Sequence, residues 1–220
     1  MEEVLRHESG LQKLSRSIKL EQLKREKIKE NEIGKIIERE VPSYPIKGGK
    51  SYYHAITRDW ITNEIFRRVE PDGLTMGEYM QILQKEFNMD IHIGYQGNNL
   101  AKLSLKPVAD SFSESTLEKD DIERSFPQDL HQIKHYFDII RTNVKTINQK
   151  MWEFEGVHPN NFFKIRNDPL YLEGETPSCN VTASARGLAI LGAIMANKGQ
   201  FRGKRLIGED TWEQMHSEAR

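Results

Sequence analysis

The sequence predicts a mainly α-helical chain, and three observations support that prediction. Apolar residues recur at helical spacing in most of the segments that are long enough to form an element. Helix start and stop signals, including a capping box, flank several of those segments. The chain also lacks a series of alternating apolar and polar runs from which a sheet could be built.

Composition excludes two classes of function. The 220 residues suffice for one medium domain, and a net charge of −1 offers nucleic acid no basic field. No apolar run approaches the ~20 residues that span a bilayer, so we expect no membrane span. Glu2, Glu3 and Arg6 stand where a signal peptide would be apolar. The single cysteine, Cys179, cannot form an internal disulfide and favours a reducing, cytoplasmic compartment.

The N-terminal part opens with the last turns of a helix and continues into a long charged segment. Residues 2–5 form those turns, and Gly10 is suited to a left-handed C-terminal cap. Residues 17–41 carry a narrow apolar stripe at helical spacing among many lysines and glutamates. We predict a solvated helix on the surface there. A helix that binds a protein partner is the alternative. The stripe comprises Ile18, Leu20, Leu23, Ile28, Ile33, Ile36 and Ile37.

Two further helices follow a loop. Residues 42–49 contain two prolines and two glycines, which favour a loop. Residues 54–69 place five apolar side chains on one face of a predicted helix. Thr75 and Glu78 match a capping box, which predicts a helix from there to Phe87.

The middle of the chain is less regular. Residues 89–95 alternate apolar and polar side chains, which predicts a short strand or an extended loop. Residues 98–130 are polar and variable, and no element is predicted there. Residues 131–152 have apolar positions at helical intervals and predict another helix.

The C-terminal part returns to helix. Residues 156–177 are predicted to be a loop, because three prolines prevent regular structure. Residues 183–197 form a strongly helical stretch whose small side chains allow close packing, with Gly199 as its cap. A last helix is predicted to begin at 208–211.

Common site motifs do not occur in the chain. We find no Gly-x-Ser-x-Gly elbow, no P-loop and no His-Glu-x-x-His helix, and we expect no metal and no cofactor. His131 and His135 lie four residues apart, but two solvent-facing histidines are far more common than a metal pair. Asn180-Val181-Thr182 fits a glycosylation sequon, which we attribute to chance without a secretory signal.

Tyr53 is the candidate for chemistry, with two interpretations. A tyrosine at the start of a helix is usually a packing residue. As a base it needs a nearby cation, because a phenol has a pKa near ~10. A lysine one helical turn after a serine nucleophile would provide that cation. No serine in this chain has a lysine three residues later, so the site cannot be completed within these residues.

Five segments, taken in order, resemble the β-lactamase-related serine hydrolases, the superfamily of class C β-lactamases, penicillin-binding proteins and family VIII-type esterases. Residues 4–11 (VLRHESGL) are similar to the LLxHxSGL segment that follows the family's catalytic serine. Residues 53–60 (YHAITRDW) are similar to a YHAxTxGW form of its second motif. Three further segments match in family order: 75–79 (TMGEY), 177–189 (PSCNVTASARGLA) and 203–207 (GKRLI).

The resemblance implies a fold and a site. The fold would be the helical subdomain and linking loops of the α/β penicillin-binding-protein fold, with most of the sheet missing. Residues 1–220 would be one partial domain, incomplete at both ends, in which 17–41 is an inserted charged helix. Tyr53 would be the catalytic tyrosine, and His54 and Asn180 would line the substrate pocket. The substrate would be a small ester or amide.

Departures from the family pattern limit the predicted activity. Ala55 stands where the Tyr-x-Asn motif has asparagine, which favours an ester over a lactam or a peptide. The third motif, a Lys/His-Thr/Ser-Gly strand edge, is absent, and the family builds half of its oxyanion hole there. We therefore expect an inactive fragment. The alternatives are a non-catalytic module that binds a protein through 17–41, and a degenerate product that folds poorly.

Overall fold

The computed structural model describes residues 1–44, 51–95, 154–155, 165 and 168–217. About half of these residues are helical, which confirms the prediction of a mainly helical chain. A 3-10 helix, η1, spans Leu20–Leu23. The α-helices are α1 (Glu2–Leu5), α2 (Arg25–Lys29), α3 (Glu32–Ile37), α4 (Thr57–Val69), α5 (Met76–Phe87), α6 (Pro169–Glu173), α7 (Ala185–Ala196) and α8 (Glu209–His216).

Two short antiparallel strand pairs lie among the helices. Strand β1 (Ile91–His92) pairs with β2 (Thr182–Ala183), with Ile91 opposite Ala183. Strand β3 (Gln200–Phe201) pairs with β4 (Lys204–Arg205). The predicted strand within 89–95 is thus confirmed as two residues. The sequence predicts that the helix of 183–197 starts at Thr182, but Thr182 and Ala183 form a strand instead.

The predicted capping box of α5 and the predicted Gly199 cap of α7 are confirmed. The hydroxyl of Thr75 accepts from the Glu78 amide at 3.2 Å, and the Glu78 carboxylate accepts from the Thr75 amide at 2.9 Å. Ser184 caps α7 by accepting from the Gly187 amide at 3.0 Å. Gly199 follows α7 with φ +79°, and its amide donates to the Ile194 carbonyl at 2.8 Å.

The prediction of one solvated helix over 17–41 is wrong. The segment forms η1, α2 and α3, with breaks at Lys24, which is extended, and at Asn31, which has φ 63°. These turns bring the apolar stripe inward, and Ile18, Leu23, Ile28, Ile33 and Ile36 are all buried.

Two apolar clusters form the core of the described residues. In the first, the buried stripe of 17–41 packs with Ile56 and Trp60 from the start of α4 and with Tyr171 from α6. The second contains residues of α5, β1 and α7, together with Met89 between α5 and β1: Leu83, Phe87, Met89, Ile91, Ile190 and Ile194. Because the apolar stripe of 17–41 packs in the core, a protein partner that binds this segment would contact its charged outer face.

Residues 169–173 correct another expectation. The sequence places them in a loop because of Pro169, yet they form α6 with that proline in its first turn. Proline is tolerated there because the first amides of a helix have no partner within the helix. The carboxylate of Asp168 caps the helix by accepting from the Leu170 amide at 2.8 Å.

The left-handed cap of α1 is His7 rather than Gly10. His7 has φ 63°, its amide donates to the Val4 carbonyl at 3.2 Å, and the Glu8 amide donates to the Glu3 carbonyl at 2.6 Å. These two bonds form a Schellman ending. Gly10 also has a positive φ, 74°, and a Cβ there would lie 2.8 Å from the Cβ of Pro42.

Some predictions lie outside the described residues. They are the polar segment 98–130, the helix of 131–152 with His131 and His135, and most of the loop before α6. Within the described ranges, no helix combines the length and the apolar character needed to cross a membrane.

Candidate functional site

Tyr53 lies where the turn after α1 meets the segment that leads into α4. Its side chain is 69% exposed. One side of its ring contacts the His7 ring, with 4.9 Å between the ring centroids and 57° between the planes. The candidate base is therefore a solvent-facing phenol with one side in contact with the His7 imidazole. This exposure disfavours the alternative interpretation, a buried packing residue.

His7 binds the backbone on both sides of Tyr53. Its carbonyl oxygen accepts from the Tyr52 amide at 3.0 Å, and its Nδ1 accepts from the His54 amide at 3.0 Å. The residue that caps α1 thereby fixes the backbone amides of Tyr52 and His54, the two neighbours of the candidate base.

His54 is the buried anchor of the same segment, 1% exposed. Its Nδ1 lies 2.6 Å from the Tyr52 carbonyl, which can only accept, so Nδ1 carries the proton. The unprotonated Nε2 accepts from the Ser9 hydroxyl at 2.8 Å. Burial lowers the pKa of His54, which favours the neutral imidazole whose Nε2 accepts from Ser9.

The Ser9 hydroxyl donates to the His54 imidazole, as a nucleophile does to its base. The pair is buried, however, and its role is structural. Ser9 is 5% exposed, and its oxygen also accepts from the Leu11 amide at 3.3 Å. A nucleophile must reach its substrate, and this hydroxyl is enclosed and engaged on both sides. The pair joins the segment of 5–11 to that of 51–60.

His7 is also neutral, for a geometric reason. The His54 amide can only donate, so Nδ1 of His7 must be unprotonated and its Nε2 carries the proton. Arg58 Nη1, another donor, lies 3.3 Å from that Nε2 and makes no hydrogen bond with it in this tautomer. Burial lowers the pKa of His7, the Arg58 charge lowers it further, and Asp59 acts in the opposite direction.

Asn180 is buried and bound to backbone on both sides of its amide. Its Nδ2 donates to the carbonyls of Tyr171, at 2.8 Å, and Gly174, and its Oδ1 accepts from the Thr176 amide at 3.0 Å. These bonds shape the loop after α6, and they leave the sequon asparagine closed to a glycan. The roles of His54 and Asn180 in a substrate pocket stay predictions.

The same loop contains a buried carboxylate that the sequence did not single out. Glu175 accepts four hydrogen bonds. Its Oε1 accepts from Arg25 Nε at 2.9 Å and from the Thr75 hydroxyl at 2.7 Å. Its Oε2 accepts from Asn63 Nδ2 at 3.0 Å and from the Gly77 amide at 3.2 Å. One side chain thus joins α2, α4 and the start of α5.

The residues that follow Glu175 join the Asn180 loop to the start of α4. The next residue, Thr176, accepts from Trp60 Nε1 at 3.1 Å, and Cys179 Sγ lies 3.9 Å from the Ala55 carbonyl. The loop therefore contacts the chain at Ala55, two residues after Tyr53. Arg25 is one basic residue among many in a charged run, and only its burial distinguishes it. No pattern in the sequence could have identified the pair.

Comparison with known proteins gives a likeness of fold. No protein-family model matches the chain, and no curated protein matches it. Among solved structures, the fold is similar to that of a novel penicillin-binding protein homolog from Caulobacter crescentus, with a TM-score of 0.58 and 23% identity. The match covers 96% of this chain and 47% of that chain, so the present chain spans about half of the relative's length.

The likeness supports a relationship to penicillin-binding proteins and β-lactamases at the level of fold. It agrees with the resemblance given by residues 4–11 and 53–60. At this identity it shows fold alone, and activity is a matter for proposal.

Proposed function

We propose that the chain is part of a β-lactamase-related serine hydrolase domain and that Tyr53 is its proton-transfer residue. The proposal rests on a contrast at Tyr53 between its exposed side chain and the fixed backbone of its neighbours. The phenol is exposed, while the backbone amides of its two neighbours, Tyr52 and His54, are bound by His7. Fixed backbone beneath an accessible reactive group is what general base catalysis requires.

The proposed reaction is acyl transfer through a serine ester. A phenol with an ordinary pKa near ~10 takes up a proton as phenolate, which a neighbouring cation must stabilise. In the resembled family a lysine one turn after the serine does this, and this sequence has no Ser-x-x-Lys. A serine and a lysine would have to come from outside these 220 residues. We therefore propose that the 220-residue chain alone is inactive.

The proposed substrate is a small ester, with an amide as the alternative. Ala55 lies two residues after Tyr53, where the resembled motif has asparagine. A methyl group cannot hydrogen-bond a substrate amide, so an amide would gain no interaction there. An ester substrate does not need that hydrogen bond.

Hydrolysis assays test the proposed inactivity. The 220-residue chain and its Tyr53→Phe variant would be assayed with a p-nitrophenyl acyl ester and with nitrocefin. We expect neither protein to exceed the buffer blank. Turnover by the unmodified chain that disappears in the variant would contradict inactivity and support Tyr53. Equal turnover by both would contradict the role of Tyr53 as well.

A second candidate function is a module that binds a protein partner, and one observation favours it. A cleft of about 740 Å³ lies on the outer face of the 17–41 segment. Its lining mixes both signs of charge and comprises Arg16, Ser17, Lys19, Glu21, Gln22, Lys27, Glu32 and Glu155. Replacing Lys19 and Lys27 by glutamate would abolish capture of such a partner and leave the fold intact. Unchanged capture by this variant would exclude the face as the binding surface.

A further inference from the structure

We propose that His7 is the positioning residue of Tyr53 and holds it only while its imidazole is neutral, so that acid releases Tyr53. The inference rests on the proposed function for its significance, since it describes how that site would be regulated. Its geometry and its test do not depend on catalysis.

The first step is that His7 is itself held in place. It occupies the left-handed position of the cap of α1, with φ 63°, and both Schellman bonds are present. A residue other than glycine is uncommon in this conformation. Its carbonyl also accepts from the Tyr44 hydroxyl at 3.4 Å. The backbone of His7, from which its ring extends, is therefore fixed by the cap of α1.

The second step is that the ring binds the segment through an acceptor. Nδ1 of His7 accepts from the His54 amide, the peptide group directly after Tyr53. The face of the ring supports the Tyr53 phenol. The side chain of His7 thus contributes one backbone bond and one ring contact, and the backbone bond requires a lone pair on Nδ1.

The third step is the effect of a proton. Protonation of Nδ1 would direct an N–H at the N–H of His54 and break the bond. It would also place a second positive charge beside the Arg58 guanidinium, 3.3 Å from Nε2. Both effects act against the contact, so the His54 amide, and Tyr53 with it, must move away from a protonated His7.

The surrounding groups favour the neutral ring. Among the described residues, the titratable and charged groups that face His7 are Tyr44, Tyr53, His54, Arg58 and Asp59. Asp59 is the one acid among them, and its Oδ1 already accepts from Arg58 Nε at 2.9 Å. The lowered pKa of His7, caused first by burial and then by Arg58, agrees with this arrangement.

NMR titration of the 220-residue chain between pH 8 and pH 4.5 tests the proposal. The Tyr53 ring signals would be assigned with Tyr53→Phe and followed in the unmodified chain, in His7→Asn and in His92→Asn. The asparagine introduced by His7→Asn keeps an acceptor near the position of Nδ1, tolerates positive φ and does not titrate. His92 is a histidine of another segment and serves as the control.

We expect the Tyr53 signals to shift with a midpoint below the ordinary histidine value of ~6.5 in the unmodified chain and in His92→Asn. In His7→Asn we expect that shift to be lost, so that the Tyr53 signals stay constant across the same pH range. A Tyr53 titration that persists in His7→Asn, or no titration in the unmodified chain, would overturn the proposal. Neither result depends on turnover, so a failure here is distinct from a failure of the proposed function.

Discussion

The Nε2 atom of His54 accepts a hydrogen bond from the Ser9 hydroxyl at 2.8 Å, across 45 positions of sequence. This bond joins the two segments that carry the resemblance to serine hydrolases. It is enclosed on both sides, so these residues of the motif hold the site together while Tyr53 faces solvent.

Replacing Ser9 by alanine should destabilise the chain. The variant leaves the buried Nε2 of His54 without a donor, and an unsatisfied buried acceptor costs about 1–3 kcal/mol. Urea unfolding at pH 7.5 measures the loss. The matched control is Ser178→Ala, because Ser178 is exposed and its variant should unfold as the unmodified chain does. Equal stability of Ser9→Ala and the control would show that the Ser9–His54 pair does not stabilise the fold.

Neutralising Glu175 should be more damaging. Glu175→Gln leaves the buried Arg25 without its counter-ion, and breaking a buried pair in this way costs about 3–5 kcal/mol. Glu173→Gln, in the same stretch of chain, removes a partly exposed pair with Lys24 and should cost at most about 1 kcal/mol. Chemical denaturation compares the two. A smaller loss for Glu175→Gln than for Glu173→Gln would contradict the role of the carboxylate in joining α2, α4 and α5.

Two glycine-to-alanine changes in helices should have opposite signs. A Cβ on Gly77 would lie 2.3 Å from Glu175 Oε1 and 2.6 Å from the Ile93 carbonyl, and such overpacking costs about 1–3 kcal/mol. At Gly192 no described atom lies within 4 Å of the added Cβ, so the higher helix propensity of alanine should stabilise α7 by about 0.5–1 kcal/mol. Thermal unfolding measures both, and a stabilised Gly77→Ala would refute the packing around Glu175.

The segment 17–41 should behave as core rather than as a surface helix. Ile33 is buried in the first cluster, and truncating it to alanine should cost about 2–5 kcal/mol. Val41 lies near the end of the same segment and is 81% exposed, so Val41→Ala should leave the unfolding midpoint unchanged. A neutral Ile33→Ala would restore the interpretation of this segment as a solvated insertion.

Stability should fall as the pH is lowered through the histidine range. His7 and His54 both have a lowered pKa in the folded chain, caused first by burial. The unfolded chain therefore binds more protons below its ordinary histidine pKa of ~6.5, and the free energy of unfolding decreases with falling pH. Denaturant unfolding between pH 8 and pH 5 measures this slope. His54→Phe should flatten it, and a slope of the opposite sign would contradict neutral histidines.

Local signals in the sequence were sufficient for much of the fold. The capping box at Thr75 and the apolar periodicity of 54–69 and 183–197 predicted α4, α5 and α7 to within a few residues. These features depend on residues three or four positions apart, which the sequence shows directly.

Long-range interactions account for the errors. A narrow apolar stripe predicts a surface helix, but the breaks at Lys24 and Asn31 direct that stripe into a core built with Trp60 and Tyr171. In the site, Tyr53 and His54 came from the resemblance. The Glu175–Arg25 pair joins residues 150 positions apart and had no local signal.

We propose above that this chain contains the tyrosine of an acyl-transfer site but not its nucleophile. Intact-mass spectrometry after incubation with a penicillin and with an activated acyl ester tests it most directly, because acylation is a single covalent step and needs no turnover. The account predicts an unchanged mass at pH 7.5. A stoichiometric acyl adduct on a serine of this chain, Ser9 above all, would contradict it.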